Sequence, residues 1–139
     1  MVKISLGGDA LKNTAVVSPS LEDYLEAILF LSETDGNARV TDVAANLNIS
    51  KPSVNRAVSV LKSSGYLDHE RYGSLCLTEK GALIARNVAK RHFILTRFLS
   101  DFLKIEESAA KAEACLIEHQ MSMPTVLKLE AFMDEIARA

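Results

Sequence analysis

Apolar residues recur at helical spacing soon after residue 18 and predict a first helix. One stripe is formed by Leu21, Leu25, Ile28 and Leu29. Ser20 stands just before this stripe and Asp23 follows three residues later, which is typical of a helix N-terminus whose side chains accept backbone N–H groups. The pattern predicts a helix from Leu21 to about Thr34, and residues 1–17, which lack a clear period, are expected to form an arm.

Two shorter helices and a hairpin are predicted next. Thr41 is expected to cap a short helix, and Ser50 or Lys51 to begin another with Pro52 in its first turn, where a missing N–H group costs least. Alternating residues on both sides of Gly73 predict a two-stranded hairpin. Two helices joined by a tight turn and followed by such a hairpin are typical of a winged helix-turn-helix.

Three amphipathic helices are predicted in the rest of the chain. Thr78 is expected to cap a long helix that reaches about Leu103, despite Gly81 in its first turn. Two further helices are expected over about 106–120 and from Pro124 to the C-terminus. The fold class is therefore mainly α.

Charge is distributed unevenly along the 139 residues, although the net charge is only −2. Residues 39–97 carry ten Lys and Arg against four Asp and Glu, a net of +6, whereas the remainder carries six against fourteen, a net of −8. This asymmetry favours a nucleic-acid-binding face, with an inert dipolar surface as the alternative. Two cysteines, no secretory segment and no apolar run of about 18 residues indicate a cytoplasmic protein with reduced thiols.

The third predicted helix is the candidate DNA reader, because the second helix of a helix-turn-helix enters the major groove. Its candidate phosphate- or base-contacting residues are Ser50, Lys51, Pro52, Ser53, Asn55 and Arg56. In the hairpin, Arg71 and Tyr72 are candidates for contacts with the DNA backbone or minor groove. The alternative is that Ser50 only caps the helix and that Arg56 is only a solvated charge.

A second group of residues has metal-ligand chemistry. Positions i, i+3 and i+4 share one helix face, so Cys115, Glu118 and His119 place a thiol, a carboxylate and an imidazole together. This face alone is an incomplete coordination shell and needs partners from other helices.

Three residues elsewhere could supply those partners. Asp23 and Glu26 lie three residues apart on the first helix, and His92 lies on the long helix. Each also has a purely structural interpretation: Asp23 as part of the helix cap, Glu26 as a solvated charge and His92 as a partly buried histidine. Together the six residues predict a mixed N/O/S site for one or two divalent ions, which would hold the first helix against the helices behind it.

These motifs resemble the metal-dependent repressors of the diphtheria toxin repressor family, most closely its manganese transport regulator branch. The likeness covers about residues 18–137 and is carried by the segment from Ser20 to Glu26, the winged helix-turn-helix, His92 and the Glu118-His119 pair. It implies a homodimer that binds pseudo-palindromic operators when loaded with metal and represses metal-uptake genes. The positions that match manganese-branch ligands are Asp23, Glu26, His92, Glu118 and His119.

The resemblance is mixed at two positions. Cys115, in the segment Glu113-Ala114-Cys115, resembles the iron-responsive branch, whereas the manganese branch usually has a bridging glutamate there. Asp23 departs in the opposite direction, because the iron branch usually has methionine at that position. A thiolate favours Fe(II), Zn(II) or Co(II) and carboxylates suit Mn(II). The expected order is therefore Mn(II) first, Fe(II) next, with Zn(II) or Co(II) as further candidates.

We therefore expect an N-terminal arm over 1–17, a winged helix-turn-helix DNA-binding domain over 18–80, and an α-helical metal-binding and dimerisation domain over 81–139. The dimer contact is expected on the last two helices, at Met121, Met123, Leu127, Phe132 and Met133, with completion of an intramolecular core as the alternative. One alternative is a winged-helix regulator that senses no metal. A metalloenzyme is the remote alternative, because the chain has neither the Glu-x-x-His nor the His-Glu-x-x-His spacing of such sites.

Overall fold

The computed structural model describes residues 19–139, and of residues 69–71 it describes the backbone alone. The predicted arm, residues 1–17, lies outside the described residues. The elements are α1 (Leu21–Asp35), α2 (Val40–Leu47), α3 (Lys51–Ser63), β1 (Leu67–Arg71), β2 (Ser74–Leu77), α4 (Glu79–Arg97), α5 (Glu107–Ile117) and α6 (Met123–Arg138). A π-helical turn over Phe98–Phe102 continues α4. The mainly helical fold with a small hairpin is confirmed, and none of the helices described has the length and apolarity needed to cross a membrane.

Helix caps largely follow the sequence. Ser20 Oγ accepts the Asp23 N–H group at 3.2 Å, and Asp23 Oδ2 accepts the Ser20 N–H group at 2.8 Å. The predicted cap of α2 was wrong: the cap position belongs to Arg39, whose N–H group donates to Asp42 Oδ2 at 3.3 Å. A carboxylate at the third helical position can satisfy this group from inside the helix, so Thr41 is not needed as a cap.

The hairpin is attached to the segment in front of α2. β1 and β2 pair antiparallel with Leu67 opposite Leu77, and Tyr72 and Gly73 form the turn with φ of 56° and 78°. The N–H group of Leu75 donates to the Ala38 carbonyl oxygen at 2.6 Å. The wing therefore keeps a fixed position relative to the helix-turn-helix.

Two apolar cores are arranged along α4. The first contains buried side chains of α1, α2, α3 and the hairpin and reaches Ala85 on α4. The second contains Ile94 from the other half of α4 together with Val126 and Met133 of α6. At the start of α4, a Cβ on Gly81 would collide with the Tyr66 carbonyl oxygen, so glycine permits close packing there. α4 is thus the rigid connection between the two cores.

The residues predicted for a dimer contact are divided by the structure. Met133 is buried in the second core, and Met121 and Met123 are half-buried. Leu127 and Phe132 are 40% and 57% exposed. The outer side of α6 therefore presents apolar area that the single chain does not bury.

Candidate metal centre and nucleic-acid interface

The six candidate metal ligands come from α1, from α4, and from α5 with the turn that follows it: α5 ends at Ile117, earlier than the predicted 120, so Glu118 is its C-cap and His119 lies in the turn. α1 packs along α4, and α5 packs on the other half of α4. Two small buried residues, Ala110 and Ala114, allow the backbone of α5 to approach closely. This packing brings the C-terminal end of α5 to the first turns of α1 and the middle of α4.

His92, Cys115 and Glu118 form the first ligand group. His92 Nδ1 lies 2.8 Å from Glu118 Oε2, and Cys115 Sγ lies 3.7 Å from the same nitrogen. The three ligand atoms lie within 4.8 Å of one another, close enough to bind one cation together. Cys115 is exposed, so this group opens to solvent on the thiol side.

Asp23, Glu118 and His119 form the second ligand group, with the same 4.8 Å limit on the separation of their ligand atoms. His119 Nε2 lies 2.7 Å from Asp23 Oδ1 and 3.4 Å from Glu118 Oε1. Asp23 uses its other oxygen to complete the cap of α1. Asp23 can therefore cap α1 with one oxygen and contact His119 with the other.

Glu118 belongs to both groups and is fully buried. Its Oε2 contacts His92, whereas its Oε1 has no hydrogen-bond partner among the residues that the structure describes. Burying a carboxylate oxygen that accepts no hydrogen bond is costly unless a positive charge lies close to it, and His119 Nε2 lies 3.4 Å away. The thiol, carboxylate and imidazole groups around this oxygen fit a divalent transition metal.

Protonation in the centre reflects the crowding of its acidic groups. Burial, together with the nearby Glu118, raises the pKa of Glu26 to about 7. Hydrogen bonds with Cys115 and Glu118 raise the pKa of His92 to about 10. For His119, burial opposes the charged form, but hydrogen bonds with Glu22 and Asp23 outweigh it and raise the pKa. The centre therefore favours positively charged histidines and a protonated Glu26 beside its carboxylates.

Glu22 is a residue of this region that the sequence analysis missed. Its Oε1 lies 2.8 Å from His119 Nδ1, and its Oε2 accepts a hydrogen bond from Arg91 Nη2 at 3.0 Å. Arg91 Nη1 also donates to the Met121 carbonyl oxygen at 3.3 Å. In the sequence, Glu22 is visible only as a second carboxylate next to Asp23. The tertiary packing is needed to show that it contacts His119 and Arg91.

The candidate DNA-reading residues occupy the start and outer side of α3. Lys51, Pro52, Asn55 and Arg56 are exposed. Ser50 Oγ caps the helix by accepting the Ser53 N–H group at 3.3 Å, and Arg56 Nη2 donates to Ser53 Oγ at 3.1 Å. Ser50 therefore caps the helix, which was the structural alternative to a role in DNA contact. Its side chain is nevertheless exposed, near the exposed Lys51 and Arg56.

The wing tip adds a second candidate contact. Tyr72 is 97% exposed at the turn, and the side chain of Arg71 lies outside what the structure describes. Arg39, also missed from the sequence, lies against the same turn: its Nη1 is 3.1 Å from where a Cβ of Gly73 would be. An exposed guanidinium therefore stands between the helix-turn-helix and the wing.

Comparison with known proteins finds two family models that match successive parts of the chain. Residues 17–75 match the N-terminal DNA binding domain of the iron dependent repressor, and residues 78–139 match its metal binding and dimerisation domain. An uncharacterized HTH-type transcriptional regulator of Methanocaldococcus jannaschii is 37% identical over 120 residues, which are 86% of this chain and 96% of that protein. The HTH-type transcriptional regulator MntR of Listeria welshimeri is 38% identical over 109 residues, covering 78% and 76% of the two chains.

The manganese regulator SloR has a similar solved structure, with a TM-score of 0.77 and 28% identity. The match covers 85% of this chain and 55% of that chain, so the chain spans about half the length of this solved relative. The prediction of a transcriptional regulator rather than an enzyme is confirmed by the domain matches and relatives. On these grounds, the chain belongs to the iron dependent repressor family of metal-dependent, DNA-binding transcriptional regulators, the family of the diphtheria toxin repressor.

Proposed function

We propose that this protein represses manganese- or iron-uptake genes by binding their operators as a homodimer when Mn(II) is bound. The observation that carries the proposal is the buried carboxylate of Glu118, whose two oxygens face two different groups of ligand atoms. The proposed metal ligands are Asp23, Glu26, His92, Cys115, Glu118 and His119.

Two neighbouring ion positions are part of this proposal. One uses His92, Cys115 and Glu118, and the other uses Asp23, Glu118 and His119. Glu26 lines a cavity of about 760 Å³ together with Asp23, His92 and Cys115, and it interacts electrostatically with both groups. Cations at these positions would supply the positive charge that offsets the burial of Glu118.

The choice of Mn(II) is supported by the predominance of hard oxygen ligands. Asp23, Glu26 and Glu118 provide three carboxylates, which suit Mn(II). Cys115 is the exception, and its thiolate makes Fe(II) the second candidate, followed by Zn(II) and Co(II). Two of the relatives described above are named as manganese regulators or MntR, in keeping with this order.

The proposed mechanism depends on α1. This helix packs in the core of the DNA-binding part, and it also carries Asp23 and Glu26 into the centre. When bound, the metal would supply the positive charge that offsets the crowded carboxylates. With that charge present, Asp23 would hold α1 against Glu118 and His119 at the end of α5. This contact would set the position of α3 relative to the dimer partner.

The assignments on the DNA side complete the proposal. Residues 18–80 would bind DNA through Ser50, Lys51, Pro52, Ser53, Asn55 and Arg56, and through Arg71 and Tyr72 of the wing. Residues 81–139 would hold the metal and dimerise, with Leu127 and Phe132 on the exposed side of α6 in the interface. The protein would act in the cytoplasm, where operator DNA is found.

The test measures DNA affinity and metal affinity on the same preparation. Duplexes are selected from a random pool with Mn(II)-loaded protein, and their affinity is then measured by fluorescence anisotropy with Mn(II) or with chelator. We expect tight binding with Mn(II), weak binding with chelator, and calorimetric Mn(II) binding to the metal-free protein. Equal duplex affinity under both conditions would instead indicate the metal-independent winged-helix regulator.

A further inference from the structure

Glu22 contacts the proposed metal centre without belonging to either group of ligand atoms. Its Oε1 lies 2.8 Å from Nδ1 of His119. Nε2, the other ring nitrogen of His119, lies 2.7 Å from Asp23 Oδ1. The imidazole is therefore held on both sides by adjacent residues of the first turn of α1.

Arg91 fixes the second oxygen of Glu22. Its Nη2 donates to Glu22 Oε2 at 3.0 Å, and its Nη1 donates to the Met121 carbonyl oxygen at 3.3 Å. The Arg91 side chain is only 12% exposed, so these bonds are partly shielded from water. Met121 immediately precedes Ser122, which caps α6. One guanidinium thus connects the start of α1, the middle of α4 and the start of α6.

We propose that Glu22 is a positioning residue for the metal centre, holding His119 by Nδ1 so that Nε2 is directed at the second ion position. A histidine that binds a metal through one ring nitrogen commonly donates through the other to a carboxylate, which fixes the tautomer and the ring orientation. Arg91 in turn holds Glu22. This inference rests on the proposed function and adds the residues that keep its site assembled.

The contact itself is tested in the metal-free protein by NMR with ¹⁵N-labelled histidine. We expect His119 in the wild type to show an Nδ1–H proton that exchanges slowly with solvent, because Glu22 accepts it. Glu22→Ala should lose this protected signal. Glu22→Gln should keep it, because the amide oxygen still accepts a hydrogen bond. A protected Nδ1–H proton that persists in Glu22→Ala would overturn the proposal.

The consequence for the metal is tested by calorimetric titration with Mn(II). Glu22→Ala should weaken binding by about 10- to 100-fold, the usual effect of losing a partner of a metal-bound histidine, and Glu22→Gln by clearly less. Asp35→Ala is the matched control, because it removes the same charge from an exposed position on α1 outside the cavity. Equal losses of Mn(II) affinity in Glu22→Ala and Asp35→Ala would show that only the net charge matters and would contradict a positioning role for Glu22.

The two proposals fail in different ways. A wild-type protein that binds no Mn(II) or other divalent ion contradicts the proposed function. Wild-type Mn(II) binding that is unchanged in Glu22→Ala contradicts only the role of Glu22. Circular dichroism melts establish that each variant is folded. If Glu22→Ala does not fold, the role of Glu22 is decided by the Mn(II) affinity of Glu22→Gln, which conserves the size of the side chain.

Discussion

Side chains of the metal centre contact one another across 23 to 97 residues of sequence, whereas those on the outer side of α3 contact neighbours three or four residues away. The centre also contains the fully buried Glu118, whereas Lys51, Asn55 and Arg56 are exposed. The candidate DNA-reading surface of α3 is therefore formed within one helix, whereas the candidate metal centre exists only when several segments are packed together. On the proposed function, metal binding would change where α3 lies rather than what α3 presents.

Glu118→Gln is expected to have the largest effect, a loss of metal affinity. The amide keeps the size of the side chain but loses the charge that both ligand groups share. Since losing a mere partner of a ligand costs about 10- to 100-fold in metal affinity, losing the shared ligand should cost more than about 100-fold. Calorimetry with Mn(II) measures the loss, and anisotropy should show that metal no longer stimulates operator binding.

The matched control for this variant is Glu113→Gln, an exposed position on the same helix. It should bind Mn(II) like the wild type. Metal-stimulated operator binding that survives in Glu118→Gln would refute the assignment of the centre.

Arg56→Ala tests the other side of the comparison. The exposed guanidinium is lost from α3, and a base contact of this kind is worth about 1–3 kcal/mol of binding free energy. Operator affinity in the presence of Mn(II) should fall by that amount in anisotropy measurements, while calorimetric Mn(II) affinity stays unchanged. A parallel fall in metal affinity would mean that the two regions are not built independently.

Gly81→Ala tests the connection between the regions. The added Cβ collides with the Tyr66 carbonyl oxygen, which is backbone and cannot move away cheaply. Overpacking of this kind costs about 1–3 kcal/mol of folding free energy. Thermal or urea unfolding should show the loss, and Asn87→Ala at an exposed position of α4 should not. Wild-type stability in Gly81→Ala would show that α4 need not approach Tyr66 closely.

Cys115→Glu is expected to have the smallest effect and the most specific one. Replacing a soft thiolate by a hard carboxylate should favour Mn(II) over Fe(II) in competitive metal titrations, with little change in the total number of ions bound. An unchanged rank order of metals would contradict the role given to Cys115.

The parts of the fold that the sequence predicted have local causes. Ser20 with Asp23, Ser50 with Pro52, and the Gly73 turn each specify a cap or a turn within a few residues, and all are found in the structure. Local reasoning was wrong at Thr41, because the carboxylate of Asp42 satisfies the helix start one position later.

The sequence also named the five side chains of the two groups of ligand atoms, because metal ligands are a small set of residue types, whereas Glu26 belongs to neither group. It missed Glu22 and Arg91, whose contacts join residues 69 and 97 positions apart. It missed Arg39 for a similar reason, since that guanidinium meets the wing only after the chain has folded back. Carboxylates and guanidinium groups are common on surfaces, so nothing in the local pattern distinguishes these three.

The most direct test of the account is anomalous diffraction from crystals grown with Mn(II). The account predicts one or two manganese peaks beside the Glu118 carboxylate, with ligands from α1 and α5 on the same ion. Peaks that include no ligand from α1, or no peak near Glu118, would contradict the claim that metal joins α1 to the rest of the molecule.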